Sequence, residues 1–176
     1  MTLSRRTLLS APVLLAGLSP MVAEARPTAS QPLVLERVFR GRLRAEGRFT
    51  SRLGGATRTL VALMNGRWDG RVLTLAEDFT YSDGERDRVT WRFTKLGEGR
   101  YAGTREDVIG TADVRNDGAA LKLSYDALVK TGFGRLRVHF EDVIVARPDG
   151  SLYNTAVVTF FGIPVGDVEL VIRRIR

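Results

Sequence analysis

Cysteine is absent from the 176 residues, and histidine occurs once, at His139. No disulfide can staple this fold, so a hydrophobic core must hold it together. The usual zinc constellations need several Cys or His ligands and are excluded. An all-carboxylate calcium site stays open, although no loop of spaced aspartates of that type is present. A Ser-His-acid triad would have to use His139, and no nucleophile-elbow sequence is present to go with it. The apolar segment from Leu8 to about Leu18 is broken by Pro12 and Gly17. It is shorter than the ~20 residues a helix needs to span a bilayer. The rest of the chain has no convincing long amphipathic helix, no low-complexity stretch and no composition shift marking a second domain. A net charge of +7, carried mostly by dispersed arginines, comes without any nucleic-acid recognition motif.

What is present begins with the anatomy of an export signal. Arg5 and Arg6 precede the apolar segment, and Ala23-Glu24-Ala25 supplies a small-x-small cleavage site. Ser4-Arg5-Arg6-Thr7-Leu8-Leu9 is similar to the twin-arginine export signal of bacteria, with leucine where phenylalanine is commoner and no following lysine. An ordinary secretory signal holding two arginines is the alternative. Either route leads to the periplasm, and without a lipid-accepting cysteine the mature protein is expected to be soluble. We expect the signal over residues 1–25, a flexible mature N-terminus over 26–32 and one domain over 33–176.

Turn chemistry punctuates that domain at Gly54-Gly55, Asp69-Gly70, Asp83-Gly84, Gly97-Glu98-Gly99, Asn116-Asp117-Gly118, Gly132-Phe133-Gly134 and Pro148-Asp149-Gly150. Such pairs favour the positive φ angles of tight hairpins. Between them, apolar residues alternate: Leu60, Ala62, Met64 and Trp68; Leu73, Leu75, Phe79 and Tyr81; Val89, Trp91 and Phe93; Leu121, Leu123 and Tyr125; Leu136, Val138 and Phe140. Alternation with period two means one buried and one wet face. Only Leu33 to Phe39 suits a short helical turn. The succession predicts an all-β, antiparallel up-and-down barrel of about eight to ten strands, similar to lipocalins, because closure removes exposed edges. A β-sandwich is the alternative.

The acids are less ordinary. Glu77-Asp78, Glu106-Asp107 and Glu141-Asp142 are sequence neighbours, which on a strand point to opposite faces and cannot form a catalytic dyad. Carboxylates from different strands could still converge. Glu77 shares its line with Leu73, Leu75, Phe79 and Tyr81 and should point inward, where a carboxylate must be paired, hydrogen-bonded or protonated. The line Tyr101, Gly103, Arg105, Asp107 makes Arg105 its expected partner, through a fork suited to carboxylates. That pair either fixes a ligand's polar head or is a structural salt bridge, and Glu77 could also lie in water at the rim. Trp68, Tyr81, Trp91 and Tyr101 are core or cavity lining. Gly103 marks a strand bend or a hollow. His139 lies opposite Leu136, Val138 and Phe140 and should face solvent.

Several of these segments together resemble a bacterial family known as domain of unknown function 3833. They are Phe39-Arg40-Gly41-Arg42-Leu43-Arg44-Ala45-Glu46-Gly47, Gly66-Arg67-Trp68-Asp69-Gly70, Glu77-Asp78-Phe79-Thr80-Tyr81, Asp83-Gly84-Glu85, Trp91, Gly99-Arg100-Tyr101-Ala102-Gly103 and Asp107-Val108-Ile109-Gly110-Thr111-Ala112. The likeness runs from about residue 33 to the C-terminus. It implies exported relatives, many of them lipoproteins, and some encoded near genes for fatty-acid modification, but no activity. This chain departs from the lipoprotein pattern by lacking the anchoring cysteine.

We therefore expect an exported, soluble barrel that binds a small hydrophobic or amphipathic, lipid-like ligand. Its binding residues would be Trp68, Glu77, Tyr81, Trp91, Tyr101 and Arg105. No catalytic residue, metal or cofactor is assigned. Weak contact with an anionic membrane surface is expected, and nucleic acid is not a partner. An enzyme using carboxylates from separate strands and an envelope interaction protein with a filled core are the alternatives.

Overall fold

The computed structural model describes residues 32–131 and 134–176. The expected export signal, and the N-terminal segment up to residue 31, lie outside the described residues. Ten strands form one closed antiparallel barrel. In chain order they are β1 (Gly41–Ser51), β2 (Thr57–Trp68), β3 (Val72–Tyr81), β4 (Arg86–Gly97), β5 (Arg100–Thr104), β6 (Val108–Asp117), β7 (Ala120–Thr131), β8 (Gly134–Ala146), β9 (Leu152–Phe160) and β10 (Ile163–Arg174). Each pairs with its sequence neighbours, and β1 pairs with β10 to close the ring. The sandwich alternative is excluded.

Local chemistry explains the succession. At the β2–β3 turn, Asp69 Oδ1 accepts the N–H groups of Arg71 and Val72 at 2.8 and 2.7 Å. Gly70 takes φ +105°, which L side chains rarely adopt. The strands alternate as read: on β1, Leu43 and Ala45 are buried, whereas Arg42, Arg44, Glu46 and Arg48 face out. Charged outward positions are the reverse of the apolar outer band that a membrane-spanning barrel requires. No helix among the described residues is long and apolar enough to cross a membrane.

The two ends of the barrel differ. At one end a four-residue helix, α1 (Leu35–Val38), lies against the interior. No side chain caps it, so neighbouring elements must hold it. Glu36 accepts hydrogen bonds from Lys95 Nζ at 2.6 Å and from the Tyr101 hydroxyl at 2.5 Å. Asn116 Nδ2 donates to the Leu33 carbonyl at 2.8 Å. Gly66 permits the approach, because a Cβ there would stand 1.8 Å from the Phe39 carbonyl oxygen. Above α1, Leu35, Phe39, Leu43, Leu73, Tyr101, Val114, Leu121 and Ile172 fill a packed core.

Two turns were not foreseen, both at the opposite end. The expected strand line from Tyr101 to Asp107 stops at Thr104, and the chain turns through residues 105–107, closed by Val108 N–H to the Arg105 carbonyl at 3.1 Å. The β9–β10 connection turns at Phe161-Gly162, with Phe161 at φ +48°. Gly103 corrects the expected bend or hollow: a Cβ there would meet two Phe93 ring carbons at 3.0 Å, so the glycine makes room for that ring.

Candidate ligand cavity

The half of the barrel away from α1 is hollow. A cavity of about 890 Å³ runs from the packed core to the β1–β2, β3–β4 and β5–β6 connections. Its walls come from inward strand positions, among them Leu60, Ala62, Phe79, Val138, Ala156 and Val158. The mouth lies among exposed residues such as Leu53 and Arg86. Small side chains at Ala45, Ala62 and Ala156 leave volume that larger residues would fill. A space this large, with mostly apolar walls and few polar groups, suits a small organic ligand.

The polar groups gather at mid-height. Glu77, at the centre of β3, pairs across the sheet with Met64 and Val89 and is 7% exposed. Asp142 is its counterpart on β8, paired with Leu123 and Ala156. Both line the cavity. Asp142 Oδ1 accepts from Asn154 Nδ2 at 2.8 Å, whereas its Oδ2 is buried without a hydrogen-bond partner. Burial pushes the Glu77 carboxyl up to about 7, against the pull of the Arg105 charge. Burial likewise pushes Asp142 up to about 7, with Arg105 and Tyr125 pulling the other way.

Arg105 enters from the β5–β6 turn. Its Nε and Nη2 donate to Asp107 Oδ1 and Oδ2 at 2.5 and 2.9 Å, a bidentate pair. The guanidinium stands 4.5 Å from the centre of the Trp91 ring and 5.5 Å from that of Tyr125. Tyr125 meets Trp91 edge-on at 5.2 Å and stacks on Phe140 at 5.0 Å. The turn is fastened to both neighbours, through Thr90 N–H to Glu106 Oε2 at 2.9 Å and Leu128 N–H to the Asp107 carbonyl at 2.9 Å.

Of the six residues singled out from the sequence, Glu77, Tyr81, Trp91 and Arg105 line the cavity, whereas Trp68 and Tyr101 do not. Trp68 packs beside the core, and Tyr101 is buried there with its hydroxyl on Glu36. The expected Glu77–Arg105 ion pair is corrected. Among the described residues Glu77 makes no hydrogen bond or ion pair within 4 Å, and Arg105 bonds to Asp107 instead. The reason is the unforeseen turn, which brings residues 105 and 107 face to face. Asp142, Tyr125 and Asn154 were missed as cavity residues. Asp142 was within reach, since it continues the inward line Leu136, Val138, Phe140 by one step.

His139 faces outward as expected. Its Nδ1 lies 2.9 Å from Asp126 Oδ1 and its Nε2 2.7 Å from Glu141 Oε1, and Ser124 Oγ donates to that same Glu141 oxygen at 2.7 Å. Ser124 Oγ to His139 Nε2 is 3.4 Å, which outlines a Ser-His-Asp array. Glu141 occupies the base position, however, and with Asp126 it raises the imidazole's pKa, which favours imidazolium. Ser124 donates its hydrogen bond to Glu141 rather than to the imidazole, so the Ser–His hydrogen bond of a triad is not made. The cluster is an ion network on the outer wall.

Residues 12–174 match the family described as protein of unknown function (DUF3833). The chain belongs to that family. The resemblance of the segments from Phe39 onward is thereby confirmed, and it spans nearly the whole length. No curated protein matches the chain. Membership in DUF3833 supplies no reaction, so the chemistry must be argued from the cavity.

Proposed function

We propose that this DUF3833 protein is an exported, periplasmic carrier that holds a small amphipathic molecule inside its barrel. The observation that carries the reading is the cavity of about 890 Å³, apolar along its walls and polar at mid-height. A ligand's chain would lie against Leu60, Phe79 and Val158 while its head reached the Glu77–Arg105–Asp142 level. The signal-like residues 1–25 support export. The cavity weighs against the filled-core alternative. Native mass spectrometry of the protein purified from its own periplasm is the test. A retained small molecule, lost on denaturation, is expected; apo protein alone, at full yield, would overturn the carrier reading.

The rim supports weak contact with an anionic membrane surface. Leu53 is 76% exposed and Phe161 90%, on the β1–β2 and β9–β10 connections, and Arg52 N–H ties the first of these to β10 through the Val165 carbonyl at 2.9 Å. Lys130 and Arg135 line the same side of the mouth. Apolar tips beside cations suit an interface with acidic headgroups, from which a lipid-like ligand could enter.

One observation favours a second reading. Glu77 and Asp142 come from separate strands and face one cavity, with pKa values near neutrality suited to general acid/base work. In an enzyme, Glu77→Gln would abolish turnover of a retained molecule yet leave its binding intact.

A further inference from the structure

The polar centre of the cavity holds more carboxyl groups than positive charge. Three carboxyl groups, Glu77, Asp107 and Asp142, meet a single guanidinium, that of Arg105. The Arg105 fork is engaged by Asp107 through two hydrogen bonds. The Glu77 carboxyl faces the cavity without a side-chain hydrogen bond or ion pair among the described residues, and Asp142 Oδ2 is buried without a hydrogen bond, with the Tyr125 hydroxyl as its nearest stabilising neighbour. Two orphan acceptors in apolar surroundings call for something that brings N–H or O–H groups. The other cations on the cavity wall belong to the mouth: Arg88 pairs with Asp78, Arg86, Lys130 and Arg135 are exposed, and the partly buried Arg58 lies on the Tyr81 ring and pairs with Asp83 and Glu85.

On the reading of the barrel as a carrier, we propose that its ligand is an amphipathic molecule with a cationic, amine-bearing head, and that Glu77 and Asp142 receive that head. An ammonium group supplies the missing charge and up to three donors at once. A carboxylate or phosphate head would instead add an anion beside three carboxyl groups, with Arg105 already committed. The protonation behaviour agrees: carboxyls left near 7 by burial, with each other, Glu106, Asp107, Glu141, Arg105 and Tyr125 as their charged and titratable neighbours, are ready to lose a proton when a cation arrives.

Three probes with the same chain and different heads decide the matter: dodecylammonium, dodecanoate and dodecanol, each below its micelle concentration, titrated calorimetrically into the full mature protein. Dodecylammonium is expected to bind at least about tenfold more tightly than dodecanoate at pH 7, one decade being 1.4 kcal/mol. Its binding should release protons, seen as a dependence of the heat on buffer, and tighten between pH 5.5 and 8. Glu77→Gln and Asp142→Asn should each narrow the preference while dodecanol binding is kept. Dodecanoate binding as tightly as the amine would overturn the head-group inference and leave the carrier reading standing. If none of the three bound to folded protein, the carrier reading would fall and this inference with it. The comparison of heads on the unmodified protein stands even where a variant fails to fold.

Discussion

The two ends of this barrel are made from the same ten strands, yet one is solid and the other hollow. At the end holding α1, inward positions carry Leu35, Phe39, Leu43, Leu73 and Tyr101, and the half-buried acid of the helix, Glu36, has both Lys95 and Tyr101 as partners. At the other end inward positions include Ala45, Ala62 and Ala156, and Glu77 has no partner. Both Glu36 and Glu77 are carboxylates turned toward the interior, but they are pushed in opposite directions. Burial raises both, and for Glu36 the bonds from Lys95 and Tyr101 prevail, so its pKa falls below the ordinary value. For Glu77 burial prevails. One end is built for stability; the other accepts instability where a ligand could relieve it.

The sharpest way to break this contrast is to truncate an apolar side chain at each end. Leu35→Ala, at a position 1% exposed, should cost about 2–5 kcal/mol in urea unfolding. Leu53→Ala, at the open rim, should change stability by less than about 0.5 kcal/mol. Equal losses at the two positions would show that the rim is packed after all.

The buried acid comes next. Glu77 is protonated in the folded chain up to about pH 7, whereas its unperturbed value is 4.5. The native state therefore holds an extra proton between those values. Its contribution is complete below about pH 4.5 and is lost as pH rises through about 7. Glu77→Gln removes the ionisable group and should gain stability at pH 8, up to about 3 kcal/mol for a shift of this size. At pH 4.5 it should gain almost nothing. Denaturant titrations at the two pH values check the sign. At the closed end Tyr101→Phe removes one bond to the ionised Glu36 and should cost about 1.5–3 kcal/mol near neutrality.

The smallest effects belong to the outside. His139→Gln breaks two contacts in a partly exposed ion network and should shift stability by less than about 1 kcal/mol. The double substitution Leu53→Ser with Phe161→Ser should leave unfolding nearly unchanged. It should, however, weaken co-sedimentation with vesicles rich in acidic phospholipid, and unchanged vesicle binding would remove the rim from the membrane proposal.

The sequence made the barrel legible through its regular turns and alternating lines, and the inward side of Glu77 through its register with Leu75 and Phe79. The site itself was read less well. Its centre depends on the turn at residues 105–107, which has no glycine or proline, so nothing in local turn chemistry separated it from a continuing strand. That hid the Arg105–Asp107 pair and left Arg105 assigned to Glu77. Phe161-Gly162 escaped for a similar reason, as a single glycine without the second glycine, Asp or Asn that marked the other turns. Aromatic content did not distinguish wall from core: Trp91 faces the cavity and Tyr101 the packing, although both are inward and buried. Which end is hollow depends on three-dimensional filling by α1, which no strand pattern encodes.

The account depends most on the hollow half being open to a ligand. Titration with the neutral apolar dye N-phenyl-1-naphthylamine, before and after Ala156→Phe, tests it directly, because that substitution places a ring in the cavity rather than on the surface. One saturable site per chain, lost in a variant that still unfolds cooperatively, is the predicted result. Dye binding that never saturates, or that survives the filled cavity unchanged, would contradict it.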